Sequence, residues 1–476
     1  MRGAYATAGG FAVRLGARLL FLLVAGRLFG AAALGDYLLA VAAVELAVAV
    51  GNLGTKKLLF PLLDLRRERR AAHVVLDAGM LVAGASLVLA AIVAGAALLL
   101  PGPGVVLALA APMIAGQALL DLVLAATRWR GAVRFDVVAR SIVEPWAAVA
   151  GTVAAWTLGA GTLGLVVGYA CGTLAALAYA MAGARGALGG FALGSYRPSR
   201  ATMGQLLGQA GPNTATDALT ALYQRLDLYL VGLLLGPRAA GLYGMARQVS
   251  VPIRQIRQSF DGLLVPLVAR TVAVRGSEAA GAALASAARR VLAIQLPVVL
   301  ALLAVGAPLL DAFGPGFGAA AAALVVLAAA EAVQAAFGTG DLLFVYLNPR
   351  VGLAQTAAGI AVGGGAAVLL LPTLGIIGAA LAVLAGYLVR AAMRAWSLRR
   401  RFGVTVPLAH PAGPLAAAAL GTAAVLLAQP WGELAALAAG LATYAAVLLT
   451  WLRATGERLR LSVRVSYSLN MALTAL

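Results

Sequence analysis

Charge is scarce in this chain. Only 11% of its 476 residues are charged, against about a quarter in a soluble domain, so a water-facing surface for a chain of this length is excluded. Acidic residues are the scarcest, with 17 Asp and Glu against 36 Lys and Arg and a formal net charge of +19. Cysteine is down to Cys171 alone, which excludes an intrachain disulfide and a cysteine metal site. The two histidines, His73 and His410, stand apart from each other and from any catalytic partner. No Ser/His/Asp set, phosphate loop or metal-ligand spacing occurs, so the residues do not read as an enzyme and imply no cofactor.

What fills the chain instead is apolar. Hydrophobic residues make up 62%, and the mean hydropathy is +0.95. Stretches such as VVLDAGMLVAGASLVLAAIVAGAALLL at 74–100 exceed the roughly 20 apolar residues that cross a hydrocarbon core. Gly, Pro and charge punctuation predicts fourteen spans, from 11–29 and 36–63 at one end to 408–428 and 434–452 at the other. The fold class expected is an all-α polytopic membrane protein.

The basic residues lie in short clusters between spans, which excludes nucleic acid as their partner and fixes orientation instead. The N-terminus, the even-numbered connections with the span ends beside them, and the C-terminal tail hold 28 of the 36 Lys and Arg. The odd-numbered connections are tiny, as at FGPGFG 313–318 and QPWGE 429–433, and hold only Arg27 and Arg238. Both termini are therefore expected on the cytoplasmic side of a bacterial inner membrane.

The sequence also repeats. GRLFGAAALGDY at 26–37 and GLLLGPRAAGLY at 232–243 match Gly26, Gly30, Gly35 and Tyr37 to Gly232, Gly236, Gly241 and Tyr243, at a constant offset of 206. Six spans separate the copies, so the halves have the same orientation. A pseudo-two-fold along the membrane normal and a cavity between two lobes are expected. The lobes are expected at 1–184 and 205–402, with a cytoplasmic linker at 185–204 and two further helices plus a tail at 403–476.

RLFGAAALGDY at 27–37 and RLDLYLVGLLLGPRAAGLYGMA at 225–246 resemble the polysaccharide and O-antigen flippases of the multidrug/oligosaccharidyl-lipid/polysaccharide exporter superfamily. The resemblance implies two pseudo-symmetric six-helix lobes plus two C-terminal helices, a MATE-like fold, working by alternating access. It implies as substrate an undecaprenyl-pyrophosphate-linked oligosaccharide, with polymerase or ligase partners in surface polysaccharide synthesis. A cation antiporter and a peptidoglycan-precursor flippase are the alternatives.

Arginines inside spans are costly and usually face a wet interior. Arg14, Arg18, Arg225, Arg247, Arg254 and Arg257, with Gln258 near the face of Arg247 and Arg254, are the expected contacts for a pyrophosphate, which guanidinium recognises bidentately. Glu45, Asp217, Asp227, Glu331 and Asp341 are the expected acids. Each serves either to couple transport to H+ or Na+ or to hold an arginine in place. Asn213, Asp217, Thr220, Gln224 and Asp227 form a polar stripe at helical spacing along span 7.

Overall fold

The computed structural model describes the backbone of residues 2–65, 71–99, 104–188, 196–338, 349–402 and 409–455. It describes the side chains there except at 2–12, 14, 65, 256–284, 287, 349–350, 353, 401–402 and 409–411. Among the described residues every regular element is helical. In chain order the α-helices are α1 (Arg2–Gly51), α2 (Thr55–Leu65), α3 (Ala71–Leu98), α4 (Gly104–Ala110), α5 (Met113–Trp129), α6 (Val133–Val138) and α7 (Glu144–Thr157). They continue as α8 (Gly164–Ala187), α9 (Arg200–Phe313), α10 (Ala321–Gly338), α11 (Pro349–Phe402), α12 (Ala409–Ala428) and α13 (Glu433–Ala454).

Eleven described stretches are long and apolar enough to cross a bilayer. Three of them, Leu15–Asp64, Arg200–Gln255 and Ala354–Arg400, run to 50, 56 and 47 residues, about twice what one crossing needs. These three hold glycines at positive φ: Gly30 at 77°, Gly236 at 84° and Gly375 at 56°. Each long stretch is thus a helical hairpin, which makes fourteen spans, the number read from the sequence. Gly30 and Gly236 are repeat mates, and a left-handed turn of this kind is open to glycine at little cost.

The repeat is a contact surface as well as a pattern. A Cβ added to Gly35 would overlap the Pro237 carbonyl oxygen, and one added to Gly241 would overlap that of Ala31. Residues 31 and 237 are themselves mates at the offset of 206, so the two contacts are one contact made twice. The same holds for Gly232 against Leu39 and Gly26 against the methyl of Met245. Leu38 lies against Gly244, its own mate, which puts that pair on the local two-fold axis. Leu34, Tyr37, Ala240 and Tyr243 are buried beside these contacts. The two hairpin ends therefore seal face to face, backbone on backbone, because small residues let helices approach closely.

The chain packs as two compact units. The first comprises residues 1–249, 307–327 and 353–389 and contains both copies of the repeat. Its core includes Leu59, Leu63, Ile114, Leu120, Leu122 and Leu124, all buried between α2, α3 and α5. Here α9 begins with Ser199 accepting a hydrogen bond from the Thr202 N–H at 3.3 Å. The buried Asp77 of α3 ties this start down, its Oδ1 accepting from the Tyr196 hydroxyl at 2.6 Å and the Ser199 N–H at 3.1 Å. Desolvation, then the bond to Asp77, pushes the Tyr196 hydroxyl pKa above its ordinary value.

The second unit comprises residues 250–306, 328–352 and 390–476. In it α12 and α13 form a hairpin joined at Gln429–Trp431, and Val425, Ala428 and Ala436 bury against Ala304. Gln295 Nε2 donates to the Ile253 carbonyl at 2.6 Å, and Arg394 Nη1 to the Phe337 carbonyl at 2.6 Å, so buried polar groups here bond to backbone.

Candidate functional site

Two local breaks shape the inner surface of the first unit. Pro145 has no N–H to return to Ser141, and the helix before it widens into a π-turn at Ala139–Val143. That turn carries Arg140. The second break lies between α1 and α2, where residues 52–54 leave the helix and Thr55 restarts it. Its Oγ1 donates to the Asn52 carbonyl at 2.7 Å.

Around these breaks lies a cavity of about 640 Å³. Its wall carries five cations, Arg18, Lys56, Lys57, Arg140 and Arg225, and four carboxylates, Glu45, Asp121, Glu144 and Asp217. Each carboxylate meets a cation. Arg225 donates to Glu45 through Nε at 2.8 Å and Nη2 at 2.9 Å, the fork-on-fork geometry that guanidinium favours. Lys57 Nζ meets Asp217 Oδ1 at 2.6 Å, and Lys56 Nζ meets Asp121 Oδ2 at 2.6 Å. Arg140 bridges Asp121 and Glu144, the latter at 2.9 Å. Gln117 completes this network, accepting from Arg140 at 3.0 Å and donating to Glu144 and to Thr173 at 2.9 Å each. Tyr37 and Tyr169, edge-on at 6.4 Å, close the cavity toward the sealed hairpin ends.

The residues expected from sequence divide. Arg18, Arg225, Glu45 and Asp217 line the cavity. Arg247 and Asp227 do not: they form an ion pair bordering a separate pocket of about 30 Å³ with Tyr223 and Tyr387. There Arg247 also donates to the Gln224 carbonyl, and Tyr243 donates to Asp227 Oδ2 at 2.5 Å. Arg254 lies in the second unit, its Nη1 3.5 Å from Glu331 Oε1. The side chains of Arg14, Arg257 and Gln258, and all of Asp341, lie outside the described residues.

Sequence reasoning passed over Arg140, Glu144 and Lys57. A signal was present: Arg140 and Glu144 are spaced i, i+4 ahead of Pro145 within a span, and a charged pair beside a helix-breaking proline points to a wet interior. Among the described residues no group of three His, Cys, Asp or Glu could hold a metal ion.

The family described as polysaccharide biosynthesis protein matches residues 2–272. No curated protein matches the chain. Among solved structures, a lipid II flippase MurJ in an inward closed conformation is similar at TM-score 0.77 and 12% identity, covering 94% of this chain and 99% of that one. A multidrug resistance MATE family transporter of the MOP superfamily, inward-facing, is similar at TM-score 0.66 and 15% identity, covering 84% and 98%. A MOP superfamily transporter from Pyrococcus furiosus, whose binding pocket is described as of reverse polarity, is similar at TM-score 0.59 and 15% identity, covering 84% and 94%. At these identities the likeness establishes the fold, and all three are transporters or flippases.

Proposed function

The chain belongs to the polysaccharide biosynthesis protein family, and from that premise we propose that it is a flippase for an undecaprenyl-pyrophosphate-linked oligosaccharide. It moves that lipid from the cytoplasmic to the periplasmic leaflet of a bacterial inner membrane by alternating access, for surface polysaccharide synthesis. The two lobes are residues 1–184 and 205–402, joined through 185–204 and followed by the helices of 403–476.

One observation carries the substrate class: the cavity has five cations, and every carboxylate on its wall already holds one. A cation exporter needs acidic groups open to its substrate. An anionic head group instead meets guanidinium and ammonium groups on the cavity wall, whose charge-assisted bonds to phosphate oxygens are roughly twice as strong as neutral ones. The lipid tail stays in the bilayer, so only the polar part crosses. An inside-negative potential favours outward movement of a dianion by about 4–5 kcal/mol per 100 mV, with H+ or Na+ antiport through Asp217, Asp227 or Glu331 as a further source.

Deleting the gene tests this reading. Surface polysaccharide is expected to fall to background while its lipid-linked precursor accumulates, shielded from a membrane-impermeant glycosidase added outside. Normal surface polysaccharide with lost drug resistance would point to the cation exporter. Arrested peptidoglycan synthesis with normal surface glycan would point to the peptidoglycan-precursor flippase.

A further inference from the structure

The second span is interrupted. Leu53 stands at φ 50°, the one non-glycine residue at positive φ among the described residues, next to Gly54 at φ 66°. A non-glycine residue held there is strained and persists only where its surroundings impose it. The break sets the N-terminal end of the 11-residue helix α2 at the cavity, since Asn52, Lys56 and Lys57 all line it. Interrupted membrane helices turn such positive ends toward anionic substrates.

Two independent observations point to a ligand there. The first is compositional: of 36 basic residues 34 are arginine, and the two lysines of the whole chain are Lys56 and Lys57. Lysine offers a compact point charge with three rotatable donors where arginine offers a rigid fork. Each ammonium spends a contact on one carboxylate, Asp121 or Asp217, and the side chains remain 42% and 50% exposed. The second is Asn52, which is 1% exposed. Its Nδ2 donates to Asp121 Oδ2 at 3.1 Å, while its Oδ1 is buried with no hydrogen-bond partner among the described residues. A buried acceptor left so is destabilising, and what it lacks is a donor such as a hydroxyl.

We propose that this break is the seat of a glycosyl diphosphate. Lys56, Lys57 and the α2 N-terminus hold the diphosphate, and Asn52 Oδ1 accepts a hydroxyl of the first sugar. The pairing of an anion site with a lone acceptor selects a sugar-bearing diphosphate over a bare one. The assignment rests on the flippase reading above and narrows it to named groups. It also makes the substrate a rival of Asp217 for Lys57, the pair that ties the second span to the seventh.

The test uses the purified full-length protein in detergent. An amine-reactive reagent can label only Lys56, Lys57 and the chain's amino terminus, so peptide mass spectrometry reads the seat directly. Polyprenyl diphosphate, bare or carrying one N-acetylhexosamine, is expected to protect both lysines from labelling. The Lys56→Gln/Lys57→Gln double variant should bind either lipid at least about tenfold more weakly, the scale of one charge-assisted contact. Asn52→Ala should weaken the glycosylated lipid several-fold and leave the bare diphosphate unchanged. Wild-type protein that binds the glycosylated lipid while both lysines label at the free rate would overturn the seat and leave the flippase reading standing. Wild-type protein that binds neither lipid would overturn both. Equal losses for the two lipids in Asn52→Ala would remove the sugar contact.

Discussion

Arg254 shows how much an intramembrane arginine's meaning depends on what faces it. From sequence alone, a guanidinium in mid-span reads first as a substrate contact, with a buried pair as the competing explanation; in the structure it stands 3.5 Å from the buried Glu331. Removing one member of such a pair costs about 3–5 kcal/mol, because the other charge stays buried. Arg254→Ala is therefore expected to lower the amount of protein in the membrane, and Arg254→Ala/Glu331→Gln to restore it, both read by immunoblot of membrane fractions. A normally abundant Arg254→Ala variant that has lost export would return this residue to the substrate path. The same logic sorts the other charges. Arg225 and Glu45 were both legible as costly, but their partnership spans 180 positions, and no periodicity encodes a contact that distant. Asp227 was legible as part of a polar stripe, yet the stripe divides: Asp217 faces the cavity and Asp227 holds Arg247.

At the scale of helices, hydropathy and glycine spacing were enough for the fourteen spans and their short connections. They were blind to the path of the backbone inside a span. The π-turn at Ala139–Val143 and the break at residues 52–54 change no apolar count, though Pro145 and the Gly51-Asn52-Leu53-Gly54 run mark both places. These breaks put Arg140 and the two lysines on the cavity, so the unread detail carried the site. The sealed hairpin ends give the matching prediction. Leucine at position 241 would overlap the Ala31 backbone, and overpacking of this kind costs about 1–3 kcal/mol, enough to shift a two-state balance away from the sealed form about ten- to hundredfold. In a Cys171→Ser background with Thr220→Cys in the cavity wall, Gly241→Leu should raise maleimide labelling from outside several-fold and depress export. Unchanged labelling and export would show that the seal does not need to stay tight.

For the whole molecule, the one-sided distribution of basic residues predicts an orientation that can be tested. Single cysteines replacing Pro315 and Trp431 in the cysteine-free background are expected to label with an impermeant maleimide in intact cells, and those replacing Ala132 and Arg400 only after permeabilisation. The reverse pattern would invert the protein in the membrane. The face where the hairpins meet bears on which substitutions the chain can accept. Gly35 touches residue 237 and Gly241 touches residue 31, so a change in either copy disturbs a surface belonging to both. A larger residue at position 35 or 241 would have to be answered by a change in the opposite copy, and this is the stretch where the two copies match at a constant offset.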